Sequence, residues 1–371
     1  MFKNFTVNRK LLKRLDIGII FTVLLISLFG VVNIYSATHN LYGDYYLKIQ
    51  LFWIFAGLIV MYIALAVDYA KIGAYSIFIY GFFVLILAYT DKWGVVRGGA
   101  RAWIGIGSIG IQPSEFMKIA TILIIAKKID DMEGDVNNPK NFFKLVLYIL
   151  IPTILIIIQP DMGITMVMFF IFLGVFYAAG LNLKVIIGGI SSVAIVILLV
   201  LYTGLLPSYM QNRILSFLNP SDYATSTGYQ AVQSVIGIGS GGIMGKGFLN
   251  GNYSSGGFIP EIHTDYIFSV VGEEWGFIGA MILLLLYFIL IYKFIAVAKI
   301  AKDLLGRYIC VGVISYFLFS ILQNIGMTIG LMPVTGITLP LMSYGGSSML
   351  SIYIGIGLIL NVGMRSKKIN F

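Results

Sequence analysis

The chain alternates between long apolar runs and shorter polar breaks, and the runs carry the fold. They occupy Ile17 to about Tyr35 and positions near 48–67, 73–90, 114–130, 143–158, 163–180, 183–203, 266–292, 308–330 and 346–363. A helix needs about 20 mostly apolar residues to cross a bilayer, and these ten runs are of that order. The first follows a basic start, Met1 to Asp16, with Lys3, Arg9, Lys10, Lys13 and Arg14. A basic start before an apolar stretch is also the form of a cleaved signal peptide. At about 19 residues this run is long enough to span, and more runs follow, so it reads as an uncleaved first helix. The pattern predicts an all-α polytopic membrane protein of about ten transmembrane helices, one integral domain over 1–371.

The polar breaks are of two kinds. One kind is exemplified by Lys127 to Lys144, where Asp130, Asp131, Glu133 and Asp135 balance the lysines; it reads as a solvated turn. The other kind is rich in Gly, Pro and Ser. It comprises RGGARAWIGIGSIGIQPSEFMK (97–118), QPDMG (159–163), the long loop 204–265 between helices 7 and 8, and MPVTGITLPLMSYGGSS (332–348). Backbone that is not helical can approach a bilayer only where protein buries it or where it lines a wet cavity. The other segments therefore read as a holder for the long loop and for what it binds.

Charge supplies the orientation. With residues 1–16 inside, the inner breaks and both ends collect 18 of the 25 Lys and Arg, and the outer breaks collect 7. Short inner loops carry the excess of positive charge in membrane proteins. Both termini, including the tail 364–371, are expected in the cytoplasm, and the 204–265 loop outside. The net charge of +9 thus reports topology and not nucleic acid. Composition agrees, at 59% apolar and 11% charged residues with a mean hydropathy of +0.94, against roughly 25% charged in soluble domains. The single cysteine, Cys310, excludes an intramolecular disulfide. No Cys/His cluster has metal-ligand spacing, and no phosphate loop ends in Lys-Ser/Thr.

Candidate chemistry lies in the outer breaks. Asp265 stands where an apolar run resumes, so it reads either as a helix N-cap or as a carboxylate at the edge of low dielectric, raised toward a general base. His263 would orient it or touch an anion, and a helical turn would bring Glu261 beside it. Glu273, eight residues on, either extends the polar cavity or pairs with a buried Lys or Arg. Glu115 and Lys118, three apart after Pro113, form an ion pair on one helix face. That pair is structural, or else Lys118 joins Arg97 and Arg101 as counter-charge for a phosphate-bearing substrate. Trp103 is an interfacial anchor or a sugar-stacking surface. Asp161 reads as a turn or cap residue. Lys246, in the glycine-rich GIGSGGIMGKGF, is a further cation for an anion. Ser343, with Thr335, Tyr344 and Ser347, is a hydrogen-bond donor with no base nearby in sequence.

Taken in order, RGGARAWI…QPSEFMK, QPDMG, GSGGIMGKGF, FIPEIHTDYIFSVVGEEWGFIG and GMTIGLMPVTGITLPLMSYGGSS resemble the SEDS family (shape, elongation, division and sporulation) over nearly the whole chain. The stretch GKGF…NGNYSSGGFIPEIHTD and the short termini are more similar to its elongation branch than to its division branch. The resemblance implies a ten-helix peptidoglycan glycosyltransferase of the bacterial plasma membrane that polymerises lipid II on the outer face, releasing undecaprenyl pyrophosphate. It puts the family's essential aspartate on Asp265, its outer-loop aromatic on Trp103 and its acid–base pair on Glu115 and Lys118. The chain departs from the family at Trp275, where leucine is usual. Implied partners are lipid II, the growing glycan strand, a class B penicillin-binding protein and other membrane proteins of the elongation complex. No organic cofactor is implied; a divalent cation, Mg²⁺ or Mn²⁺, would be bridged mainly by the pyrophosphate. The competing readings are a lipid II flippase, against which the absence of an inverted repeat weighs, and a scaffold that recruits the penicillin-binding protein.

Overall fold

A computed structural model of the chain describes residues 9–97, 99–106, 109–203, 208–220, 222–223, 226 and 228–366. The first half contains α1 (Arg9–Leu12), α2 (Ile17–Tyr42), α3 (Tyr45–Ala66), α4 (Tyr69–Ala74) and α5 (Ser76–Trp93). A three-stranded antiparallel sheet follows, β1 (Val95–Arg97), β2 (Ala100–Ile106) and β3 (Ile109–Ile111), then α6 (Pro113–Asp131), α7 (Pro139–Ile158), α8 (Met162–Ala178) and α9 (Leu183–Tyr202). The long loop contains α10 (Ser208–Leu218), α11 (Tyr229–Gly241) and α12 (Asn252–Ser255). The chain closes with α13 (Ile267–Glu274), α14 (Gly276–Ile300), α15 (Leu304–Thr328) and α16 (Gly346–Met364).

Nine of the ten apolar runs each correspond to one helix of 17 residues or more, and the eighth is shared by α13 and α14. Among the described residues seven are long and apolar enough by themselves to cross a membrane: α2, α3, α5, α7, α14, α15 and α16. The others are α6, whose charges lower its hydropathy, α8, which is 17 residues long, and the 20-residue α9. The molecule is a polytopic, all-α membrane protein with a small sheet.

Helices α15 and α16 form the buried centre, and α6, α3 and α2 pack around them. Close approach of α16 to α3 depends on glycines at both ends of the contact. A Cβ at Gly57 would lie 2.6 Å from the Tyr353 ring, and one at Gly357 would lie 2.9 Å from Ala64 Cβ. Small residues let helix backbones approach closely where the surrounding lipid offers no hydrophobic drive.

Two expectations need correcting. The eighth run is not one helix, because Gly276 turns the chain at φ +64° and separates α13 from α14. The outer breaks are not irregular throughout. Val95–Arg97, Ala100–Ile106 and Ile109–Ile111 form the sheet, with Val95 opposite Trp103 and Ile104 opposite Ile111. Residues 229–241 are helical despite three glycines.

The bundle has two distinct ends. At one, Lys293 pairs with Asp16 at 3.0 Å, Tyr69 donates to Asp303 at 2.8 Å, and Asn137 donates to the Gly180 carbonyl at 2.9 Å. At that same end Arg365 lies 3.4 Å from Asp68. The opposite end gathers all four Gly/Pro/Ser-rich segments.

Candidate active site

The four segments meet through hydrogen bonds that join residues far apart in sequence. Gln112 caps the start of α6; its backbone N–H donates to Ser347 Oγ at 2.9 Å and its side-chain amide to Asp161 Oδ2 at 2.8 Å. The other oxygen of Asp161 caps α8 through the Ile164 N–H, as the turn-or-cap reading of QPDMG expects. Asn324 of α15 donates both to the Asp265 carbonyl, at 2.8 Å, and to the Ile337 carbonyl, at 2.7 Å. The Tyr344 N–H donates to the His263 carbonyl at 2.8 Å. One asparagine and one turn thus tie the 260–266 segment to 332–345.

Asp265 lies in a tight turn before α13. Glu261, at φ +53°, starts it, and its carbonyl accepts from the N–H groups of Thr264, Asp265 and Tyr266. Helix α13 is capped by Tyr266 without a side-chain bond, so the N-cap reading of Asp265 does not hold. The turn brings Glu261 near Asp265, as the four-residue spacing allows. Burial pushes the Asp265 carboxyl up to about 7, and the Glu261 charge adds to the rise; Arg213 and a hydrogen bond with Thr264 oppose it. A carboxyl in this range takes up and gives back a proton near neutral pH. Burial also raises Asp161 and lowers His263, so the imidazole is neutral at pH 7. His263 packs against the rings of Tyr46, at 4.4 Å, and Tyr344, at 5.5 Å, which also touch each other at 4.9 Å.

Behind this surface, Glu115 and Lys118 form a buried pair at 2.9 Å, with the lysine side chain only 2% exposed. Ser351 donates to Glu115, and the Lys118 ammonium sits 4.1 Å above the Tyr316 ring. The charges of both reach Asp161, so the pair acts on the site from inside the protein.

Other candidates stand apart. Lys246 pairs with Glu273 at 2.8 Å, and Glu273 also accepts from the N–H groups of Tyr253 and Ser254. Of the two readings of Glu273, pairing with a lysine is the one observed, and it uses Lys246. Glu274 accepts from Ser36 on α2. These contacts fasten the long loop to α13 and α2. Arg101 is exposed and donates to the Lys92 carbonyl at 3.1 Å. The side chain of Arg97 lies outside the described residues. Trp103 is half-buried in β2. Ser343 is 3% exposed, and its hydroxyl oxygen accepts from the Leu339 N–H. It braces the 332–345 segment from within.

Sequence reasoning overlooked Arg213 on α10. Its charge acts on Asp265, Asp161 and Tyr266. Its only sequence signal is one arginine in an outer loop otherwise short of cations.

A family model described as "Cell cycle protein", FtsW/RodA/SpoVE, matches residues 17–368. The chain belongs to the FtsW/RodA/SpoVE family. Relatives from several branches of this family are similarly close. Stage V sporulation protein E of Bacillus subtilis is 36% identical over 95% of this chain and 98% of its own length. The peptidoglycan glycosyltransferase MrdB of Escherichia coli is 33% identical, covering 96% of this chain and 95% of its own. The peptidoglycan glycosyltransferase RodA of Treponema pallidum is 32% identical, covering 94% and 98%. Among solved structures, a chain of a peptidoglycan synthase complex that coordinates polymerization and crosslinking superposes with a TM-score of 0.82. It is 30% identical and covers 94% of this chain and 97% of its own. RodA of Thermus thermophilus follows at 0.73 and 28%, covering 95% and 98%.

Proposed function

We infer that this family member is a peptidoglycan glycosyltransferase that polymerises lipid II, with Asp265 as its general base. The observation that carries the assignment of Asp265 is its position: an acid poised near neutrality, held by the turn from Glu261 at the meeting point of four outer segments. Full-length similarity to peptidoglycan glycosyltransferases supports the activity.

Asp265 takes the proton from the attacking sugar hydroxyl as that oxygen forms the new bond to the anomeric carbon of the second sugar. The bond from that carbon to the pyrophosphate breaks, and its electron pair leaves with the undecaprenyl pyrophosphate. Holding the base near pH 7 keeps a working fraction ionised while leaving it basic enough to accept a proton. Cations near the site would stabilise the charge that grows on the leaving pyrophosphate, and Arg213 is better placed for this than Lys246. Among the described residues no three acidic, imidazole or thiol groups converge on a metal. A divalent cation would be held mainly by the pyrophosphate itself and would supply charge neutralisation there.

The protein is multi-pass in the bacterial membrane. The lysines and arginines gathered at the end opposite the site support cytoplasmic termini and an outward-facing site. Likeness to a chain from a complex that also crosslinks supports a class B penicillin-binding protein as partner. The elongation-like loop motifs favour a role in cell elongation.

The test is polymerisation of labelled lipid II by the purified protein with its cognate penicillin-binding partner carrying an inactive transpeptidase. Wild type is expected to make glycan chains. Asp265→Ala and Asp265→Asn, folded and able to bind the partner equally well, are expected to make none. Equal polymer from both would remove Asp265 as base, and no polymer from wild type would return the flippase and scaffold readings.

A further inference from the structure

The turn that follows α11 holds two apolar side chains outward at its tip. Ile243 is 69% exposed and Met244 81% exposed. Lys246 is the sole charged residue of the stretch GIMGKGFL (242–249), and its ammonium is turned in to Glu273 at 2.8 Å. The tip therefore presents hydrocarbon and no free charge. Its backbone is bonded to the break between α13 and α14. The Lys246 and Gly247 N–H groups donate to the Glu273 and Glu274 carbonyls, both at 3.0 Å. The Gly242 and Ile243 carbonyls accept from the N–H groups of Phe277, at 2.9 Å, and Ile278, at 3.1 Å. Only glycine permits this approach: a Cβ at Gly245 would lie 2.1 Å from the Glu274 carbonyl oxygen, and one at Gly276 would lie 2.3 Å from the Gly245 nitrogen.

Those bonds fix the depth of the tip. They set it level with Phe277 and Ile278, the exposed opening residues of α14. At the far end of the same span Lys293 pairs with Asp16, which caps the start of α2, and this pair marks the inner edge of the hydrocarbon. Phe277 stands about 16 residues before Lys293 on one helix, roughly 24 Å at 1.5 Å per residue. The hydrocarbon core is ~30 Å thick, so Phe277 lies about 6 Å inside its outer edge, and tilt of α14 sets it deeper. The outward side of α14 continues through Met281, Ile282 and Leu285, so one apolar surface runs from the tip down the span. Irregular backbone survives at such depth only where protein satisfies its polar groups. The four bonds to residues 273–278 do so, and the side chains of Ile243 and Met244 face outward.

We propose that the Ile243–Met244 tip is immersed in the outer leaflet, among the acyl chains of its phospholipids, and anchors the long loop there. The anchor acts through the bonds to Glu273 and Glu274, the last two residues of α13. Lipid packed on the tip thus sets the height of the short helix that begins at the Asp265 turn. An apolar segment of a partner protein, or a second copy of this chain, would instead cover the tip and keep lipid away from it. The depth of Phe277 and the continuity with the outward side of α14 favour lipid.

The experiment uses the full chain with Met244→Cys on a Cys310→Ser background, labelled with the small fluorophore bimane. Met244 is exposed, so its exchange removes no internal packing. The protein is reconstituted in vesicles of phosphatidylethanolamine and phosphatidylglycerol, alone and with its penicillin-binding partner. Phospholipids brominated near the headgroup end or near the methyl end of the acyl chain serve as quenchers. Emission from position 244 is expected to shift to the blue and to be quenched, more by the shallow bromines than by the deep ones, with and without the partner. Asn252→Cys, labelled in the same way, is expected to show neither effect. A nitroxide at Ile243→Cys gives an independent reading, and should relax faster with dissolved oxygen, which enters lipid, than with a water-soluble nickel chelate. Water-like emission without quenching would overturn the proposal. Quenching abolished by the partner would make the tip a protein-docking surface, and quenching that grows as the protein is diluted with lipid would make it a contact between copies; either result also overturns it.

Discussion

At Asp265 two neighbours act on the same carboxyl in opposite directions: Glu261 raises it and Arg213 lowers it. A base must be ionised to work, so polymerisation should rise with pH to a half-point near 7 and fall about tenfold per unit below it. Glu261→Gln removes a repelling negative charge, lowers the Asp265 pKa and should move the acid limb to lower pH. A pH–rate profile of the two proteins checks both the position and the sign. Gly336 tests the same site sterically. It holds φ +74°, and a Cβ there would sit 3.4 Å from Asp265 Oδ2. Gly336→Ala should cost about 1 kcal/mol of stability and reduce kcat more than it raises KM. At this scale the sequence marked Asp265 as a carboxylate at the start of a hydrocarbon run and left the cap and the base readings open. Folding puts it in the turn before α13, where it is not the cap. The sequence was a poor guide to cations. The Glu115–Lys118 pair was legible from its spacing, but Lys246 looks available in the sequence, and folding pairs it with a glutamate 27 residues away. Arg213 looks ordinary until α10 is placed against the site.

Among the elements, apolar runs announced the long helices because bilayer thickness fixes both their length and their composition. What the runs could not reveal was a break inside one of them. Trp275 and Gly276 leave hydropathy high while Gly276 turns the backbone, and Trp275 packs edge-on against Phe29 at 5.2 Å. The short sheet was present as alternation around RGGARAW and IGIGSIGI, and its glycines made it read as loop. Helix α11 was hidden for the same reason. Its Gly241 is needed because a Cβ there would lie 2.0 Å from the Gly272 carbonyl. The loop after α11, with α12, is locked onto α13 by Glu273, which is 1% exposed and satisfied by Lys246, Tyr253 and Ser254. Removing one partner of a buried pair costs about 3 kcal/mol or more. Glu273→Ala, which loses all three bonds, should therefore destabilise more than Lys246→Ala, which leaves two N–H groups on the carboxylate. Thermal denaturation in detergent gives the order.

For the whole molecule, orientation came from counting charges, and the bundle agrees in one respect: residues assigned to the same side by their charges meet at the same end. Asp16 with Lys293, and Asp68 with Arg365, are such pairs. Cysteine labelling tests the face directly. With Cys310→Ser as background, Asn252→Cys should react in intact cells with a membrane-impermeant maleimide, and Lys140→Cys only after lysis. The opposite pattern would invert the topology.

The bonds around Glu273 and Glu274 also bear on how the protein is made. A membrane insertion machine receives α13 and α14 as one greasy segment carrying two glutamates. The partners of those glutamates include Ser36, Lys246 and Ser254, all synthesised earlier and one of them near the start of the chain. Until the long loop folds back, two carboxyl groups have nowhere dry to rest. Lys246 substitutions should therefore act before catalysis, at biogenesis. Fewer molecules would escape the proteases that survey the membrane, and each survivor would keep its chemistry.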